Sequence, residues 1–312
     1  MKYLSVSMIF IGTLMGAGFV SGRECAVFFA GSGLAGAFIA GTVSGLGALA
    51  FMLLGTDPEN ELFPGRRYIP RTVIKIQSAL FLTATFALGE ALGNQLFSLP
   101  CGGILTAAVA FPLSRAESGI YKAVTAVFVP ATVIVALIIA VNIDSEWIIY
   151  GDGLNMLPVG YAAMNVLIPA MTVSKYTFDF GVKDKIIVSA LIAVLTGAVI
   201  YIYINCIRGA EHTLLPAPEN APDAFGETLL LIMLGTGSFT SAAAAIKTGA
   251  SDSVEATAMT AAALVGAGLG FGFITEYLYP VMSYIALTLT VVASVRAVIK
   301  LKSPCKKECD LI

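Results

Sequence analysis

Residues 11–24 read Ile-Gly-Thr-Leu-Met-Gly-Ala-Gly-Phe-Val-Ser-Gly-Arg-Glu, and no other stretch constrains the fold of this chain as much. On both sides the sequence is apolar, from Tyr3 to Met15 and again from Cys25 to Ala30. Glycine weakens a helix by roughly 1 kcal/mol per position, and a charge at the bilayer centre costs a few kcal/mol or more. Gly16, Gly18, Gly22, Arg23 and Glu24 therefore do not suit a straight spanning helix. Irregular backbone survives at that depth only where protein buries it or it lines a cavity. Residues 12–24 are expected to form the unwound middle of a broken helix and a binding site.

The membrane setting follows from composition. Of 312 residues, 57% are hydrophobic and 12% charged, where a soluble domain is nearer a quarter charged. The chain is read as an integral membrane protein whose first partner is the lipid bilayer. No basic stripe with interleaved aromatics exists, so no nucleic acid partner is expected. Lys2 and the apolar run behind it imitate a signal peptide, but the run resumes beyond Glu24, so a retained first helix is expected. The five cysteines show no disulfide framework, and Cys305 and Cys309 in the Lys-rich tail have no nearby histidine, so free thiols are expected. His212 is the single histidine. With no nucleophile–base pair or metal cluster, an enzyme is not expected. No charge ring or filter motif points to a channel.

A spanning helix needs about 20 apolar residues. Ten stretches qualify: 3–30 (broken), 32–55, 72–97, 99–113, 119–143, 153–174, 185–207, 225–247, 256–275 and 277–300. With the N-terminus inside, Lys2, Arg66, Arg67, Arg71, Lys75, Arg115, Lys122, Lys175, Lys183, Lys185, Lys247, Arg296, Lys300, Lys302, Lys306 and Lys307 all fall on the cytoplasmic side. These are 16 of the 18 basic residues. Asp144, Glu146, Asp152, Glu211, Glu219, Asp223 and Glu276 fall outside, with Trp147 and Tyr150 at an outer aromatic belt. This asymmetry predicts a multi-pass protein of the cell membrane with both termini cytoplasmic. Residues 1–303 read as one transmembrane unit, and 304–312 as a short tail.

Ten spans with both ends inside permit two halves of five, residues 1–143 and 153–300, the second inverted. Each half opens on a disturbed helix. One is disturbed at Gly16–Gly22 and the other around Gly160-Tyr-Ala-Ala-Met-Asn165, flanked by Pro158 and Pro169. Corresponding disturbed segments in inverted halves point to a secondary transporter's binding site. Gly41, Gly45 and Gly47 are read instead as close-packing positions.

A broken helix exposes carbonyls at the end of its first half and amides at the start of its second. The amides near Gly16, Ala17, Gly18, Phe19, Ser21 and Gly22 suit a solute carboxylate, and the carbonyls near Gly12 and Met15 suit a cation. Thr240 and Ser241 of the eighth stretch add hydroxyls, since a hard cation needs several oxygens. Tyr161 and Asn165 share one helix face and suit closure over a small polar solute. Glu90 has three readings: an outer gate with Arg23 (for which Glu276 is the other candidate partner), a contact to a solute amine, or a side chain reaching the outer interface. Glu24 stands with Arg23 as gate or coupling group.

The run Gly-Ala-Gly-Phe-Val-Ser-Gly-Arg-Glu resembles the signature of the YkvI-like bacterial membrane proteins. Tyr161-Ala-Ala-Met-Asn165, Phe239-Thr-Ser241 and Leu278-Tyr-Pro-Val-Met-Ser-Tyr284 resemble that family's later motifs, and the resemblance spans the chain. It implies kinship with the amino acid–polyamine–organocation superfamily and the LeuT-type fold. The fold expectation is thus an all-α membrane protein of about ten helices, a 5+5 inverted repeat with broken helices 1 and 6. The resemblance also implies a sodium site from Gly12, Met15, Gly237, Thr240 and Ser241. No other cofactor is expected.

The expected function is a cation-coupled secondary carrier of an amino acid or related small organic solute. Sodium is favoured as coupling ion, and protons, with Glu24 or Glu90 titrating, are the rival. The alternative is a non-transporting ligand sensor of the same fold, like a spore-germinant-receptor subunit.

Overall fold

The structure is a computed structural model that describes residues 2–29, 31–98, 100–116, 118–143, 156–222 and 224–302. The aromatic pair Trp147 and Tyr150, the acidic residues Asp144, Glu146, Asp152 and Asp223, and the tail 304–312 lie outside the described residues, as does the side chain of Ala17.

The described residues form helices and connecting turns. The helices are α1 Lys2–Leu14, α2 Ala17–Val20, α3 Arg23–Phe29, α4 Gly33–Leu54, α5 Pro58–Leu62, α6 Tyr68–Phe97 and α7 Gly102–Arg115. There follow α8 Ser118–Asn142, α9 Leu157–Tyr176, α10 Val182–Cys206, α11 Pro216–Glu219, α12 Ala224–Gly249, α13 Ser253–Ala267 and α14 Phe271–Lys302. Six are long and apolar enough to cross a membrane: α4, α6, α9, α10, α12 and α14. Apolar side chains such as Phe38, Val194 and Val265 stand exposed on the outside of the bundle, as contact with lipid requires.

Two expected boundaries are corrected. Residues 271–275 open α14 rather than closing the ninth stretch, because Gly268 to Gly270 end α13 and Gly270 turns at φ +85°. A π-helical turn at Ile274–Leu278 then carries the helix into Pro280 without a stop. The first stretch is broken, as its glycines require. The expected break around Gly160–Asn165 is absent, and α9 is continuous. Pro158 sits in its first turn, where a missing N–H costs nothing, and Ala162, Ala163 and Met164 favour helix.

Small residues set the closest crossings. A Cβ on Gly41 would collide with Ala193 O of α10, and one on Gly45 would lie 2.7 Å from Ser189 O. Ser189 Oγ donates to Gly45 O (2.8 Å) across the same interface. α4 also packs on α9 and α14; α6 packs on α7, α12 and α13; α12 packs on α7 and α8; α1 packs on α8, α9 and α10. α8 touches α10, and α14 touches α9. Lys185 Nζ donates to Met52 O (2.9 Å) and Lys300 Nζ to Leu54 O (2.8 Å). These cations satisfy the last carbonyls of α4, where the helix dipole is negative.

Candidate functional site

The break in the first stretch is held by its own hydrogen bonds. Met15 N still donates to Ile11 O (2.7 Å), but Gly16 N turns to Leu14 O (2.7 Å), leaving Gly12 O without the amide four residues on. Val20 N and Gly22 N donate to Gly16 O (3.0 Å) and Phe19 O (2.9 Å). Gly22 has φ +83°, a conformation that favours glycine. Ser21 Oγ donates to Gly18 O (2.8 Å) and accepts from Arg23 N (3.2 Å). Ser21 O accepts from Ala217 N (3.0 Å), which ties the turn to α11.

Arg23 and Glu24 point to different places. Arg23 pairs with Glu276 of α14 and donates to Glu211 O (3.1 Å) and Thr213 O (2.9 Å). Glu24 turns inward, 4% exposed, and its carboxylate lies so close to Gly18 that a Cβ there would collide with Oε1. Their grouping as one gate or coupling element is corrected accordingly: adjacent helical residues do not face the same side.

Glu24 lines a cavity of about 20 Å³ with Gly16, Gly18, Asn165 and Ser241. That is room for about one water-sized group. Tyr161, fully buried, faces the Glu24 carboxylate from α9. Among the described residues, Glu24 Oε2 and Ser241 Oγ have no hydrogen-bond partner, while the Tyr161 hydroxyl lies close enough to the Glu24 carboxyl to interact with it. Each such buried group costs about 1–3 kcal/mol, so this cavity is poised for a polar visitor.

A second cavity of about 20 Å³ lies on the other side of the break, lined by Gly12, Met15, Val20, Thr132, Gly237 and Thr240. Four of the five residues assigned to a cation site thus come together. Ser241 instead faces Gly16, its Oγ 3.6 Å from where a Cβ would stand. Thr240 Oγ1 donates to Gly237 O (3.2 Å). Among the described residues, no charged side chain lines this cavity.

The remaining assignments divide. Phe19 packs in an aromatic cluster, its ring 4.6 Å from Tyr203 and 6.4 Å from Tyr161. Ser21 and Gly22 build the turn rather than the cavity wall. Glu90 accepts from Gly103 N (3.0 Å), so it caps α7 and contacts neither Arg23 nor the cavity. Thr85 and Thr132 line the cavities without having been picked out by sequence, beside Thr13 of the broken stretch and Tyr279 of the Leu278–Tyr284 motif. The signal for Thr85 was available, since Gln77, Phe81 and Thr85 repeat every four residues along one face of α6.

Toward the C-terminal ends of α9 and α12, two further cavities of about 270 Å³ each share Thr172, Lys175, Lys247 and Thr248. Ala244 lines both the nearer of these and the Glu24 cavity. Arg23 and its partners Glu276, Glu211 O and Thr213 O lie toward the opposite end. Compared with known proteins, the chain matches no family model, and no curated protein is similar to it.

Proposed function

We propose that the protein is a cation-coupled secondary transporter of an amino acid or related small organic solute, working by alternating access, with sodium as coupling ion. One observation carries this reading: the broken first stretch brings Gly12, Met15, Gly237 and Thr240 around one small neutral cavity, beside a second that holds a buried carboxylate. Carbonyls and hydroxyls without net charge suit a weakly held hard cation, as a coupling ion that must leave again requires.

The pattern of helix contacts supports a repeat of five and five spans, as the LeuT-type fold would have. Take α1–α3, α4, α6, α7 and α8 as the first five spans, and α9, α10, α12, α13 and α14 as the second. Exchanging the halves turns α4–α9 into α10–α1, α6–α13 into α12–α7, α14–α9 into α8–α1, and α14–α4 into α8–α10. All eight pairs are in contact. The pairs α1–α9, α4–α10 and α6–α12 map onto themselves and also touch.

With the Lys-rich side cytoplasmic, the Arg23–Glu276 contact is an outer closure, and the cavities at Lys175 and Lys247 lead inward. Proton coupling is the second reading, favoured by the buried Glu24. Right-side-out vesicles given a sodium or a proton gradient separately distinguish the two. Sodium-driven amino acid uptake is the expected result. Ligand binding with no flux under either gradient overturns transport in favour of a sensor.

A further inference from the structure

The reading above leaves open which part of the solute the protein recognises. Among the described residues, Glu24 is the one acidic side chain that lines its cavity. No lysine or arginine lines it, and Arg23, the neighbour in sequence, is held away by Glu276, Glu211 O and Thr213 O. Of the backbone amides that sequence offered to a solute carboxylate, Gly16 N and Gly22 N already donate to Leu14 O and Phe19 O. α2 is a single turn of four residues and supplies no helix dipole of consequence. A carboxylate entering this cavity would meet the Glu24 carboxyl with no cationic side chain among the described lining residues.

The acceptors, by contrast, converge. Glu24 Oε2 and Ser241 Oγ have lone pairs without a donor, and both residues line the cavity. The Tyr161 hydroxyl faces the Glu24 carboxyl closely enough to interact with it. Carboxylates, hydroxyls and carbonyls all accept, and an ammonium group donates three N–H bonds. A volume of about 20 Å³ holds one such head. The body of a solute extends past Ala244, which this cavity shares with the one of about 270 Å³.

We propose that the site recognises a primary ammonium group, with Glu24 as its counter-charge and Ser241 as a second acceptor, so that solutes are selected by their amine and not by a carboxylate. This rests on the break being the solute site. It assigns Glu24 to recognition rather than to gating, and leaves the Arg23–Glu276 contact as a separate element.

The test uses three probes on the purified full-length protein: methylammonium (amine alone), acetate (carboxylate alone) and glycine (both). Binding is read by calorimetry and by thermal shift. Methylammonium and glycine are expected to bind and acetate is not. Glu24→Gln should weaken methylammonium binding about 10- to 100-fold, the loss of one charge-assisted hydrogen bond. Glu24→Asp should weaken it less, and Glu276→Gln should leave it unchanged. A monodisperse elution profile and unshifted melting temperature for Glu24→Gln show that the loss is not misfolding. If that variant does not fold, the Asp variant and Ser241→Ala carry the comparison. Acetate binding without methylammonium binding, or methylammonium binding indifferent to Glu24→Gln, overturns the proposal. Gradient-driven amino acid uptake alongside either result would leave the transport reading standing. Methylammonium binding that depends on Glu24, with no flux of any solute, would support the recognition claim and overturn transport.

Discussion

Gly22 and Gly160 lie in two stretches that meet at the same site, and the chain treats them differently. At Gly22 the backbone adopts φ +83°, and a Cβ would collide with Ile207 Cγ2. At Gly160 the backbone is helical, and a Cβ would meet the Ser283 hydroxyl, which donates to Pro280 O, at 2.8 Å. The first stretch is broken by its sequence and pinned by Ser21. α9 tolerates its irregularities instead. Pro169 removes the donor that would pair with Asn165 O, yet the helix continues, with Asn165 Nδ2 donating to Tyr161 O (3.2 Å) and Gln77 Nε2 donating to Met164 O. The difference teaches that glycines and prolines mark where a helix is weak, while buried charge beside them marks where it gives way.

The sharpest way to break this contrast is to add a methyl group at each glycine. Gly22→Ala is expected to cost about 2–4 kcal/mol, from the strained φ together with overpacking, read as a lower melting temperature. Gly160→Ala should lie within about 1 kcal/mol of the parent, since helix propensity gained offsets the contact. Equal losses at the two positions would remove the distinction between broken and tolerant stretches.

A double-mutant cycle sharpens the role of Arg23. Arg23→Gln with Glu276→Gln should show a coupling energy of about 0.5–3 kcal/mol in stability. Arg23→Gln with Glu90→Gln should be additive to within about 0.5 kcal/mol. Coupling to Glu90 instead would place the closure elsewhere. The smallest effect is expected for Glu90→Gln alone. It should lower stability by about 0.5–1 kcal/mol through the weakened α7 cap, and uptake per folded molecule should not change. A selective loss of uptake would return Glu90 to the solute.

Much of the fold was legible because apolar stretches of spanning length are hard to misread, and Gly41 and Gly45 behaved as packing positions. The break at Gly16–Gly22 was legible because charge accompanied the glycines. The supposed break in α9 was misread because Pro158 looks the same in sequence whether it interrupts a helix or begins one. Arg23 and Glu24 were read as a unit because they are adjacent. Which way each turns depends on Glu276 and the Glu211–Thr213 loop, contributed from about 190 to 250 residues away in sequence. Glu90 was misplaced for the same reason, since its partner Gly103 N belongs to the next helix. Gly237 and Thr240 fall beside one another because they share one helix, and their spacing fixed their mutual placement.

The central claim is that the broken first stretch is the solute site of a gradient-driven carrier. Gly18→Ala tests it directly, because a Cβ there displaces the Glu24 carboxylate without touching Arg23 or the neutral cavity. Uptake in right-side-out vesicles under an imposed sodium gradient should fall by about 100-fold relative to the parent at equal folded protein, the scale of about 3 kcal/mol. Undiminished sodium-driven uptake by Gly18→Ala would contradict the account.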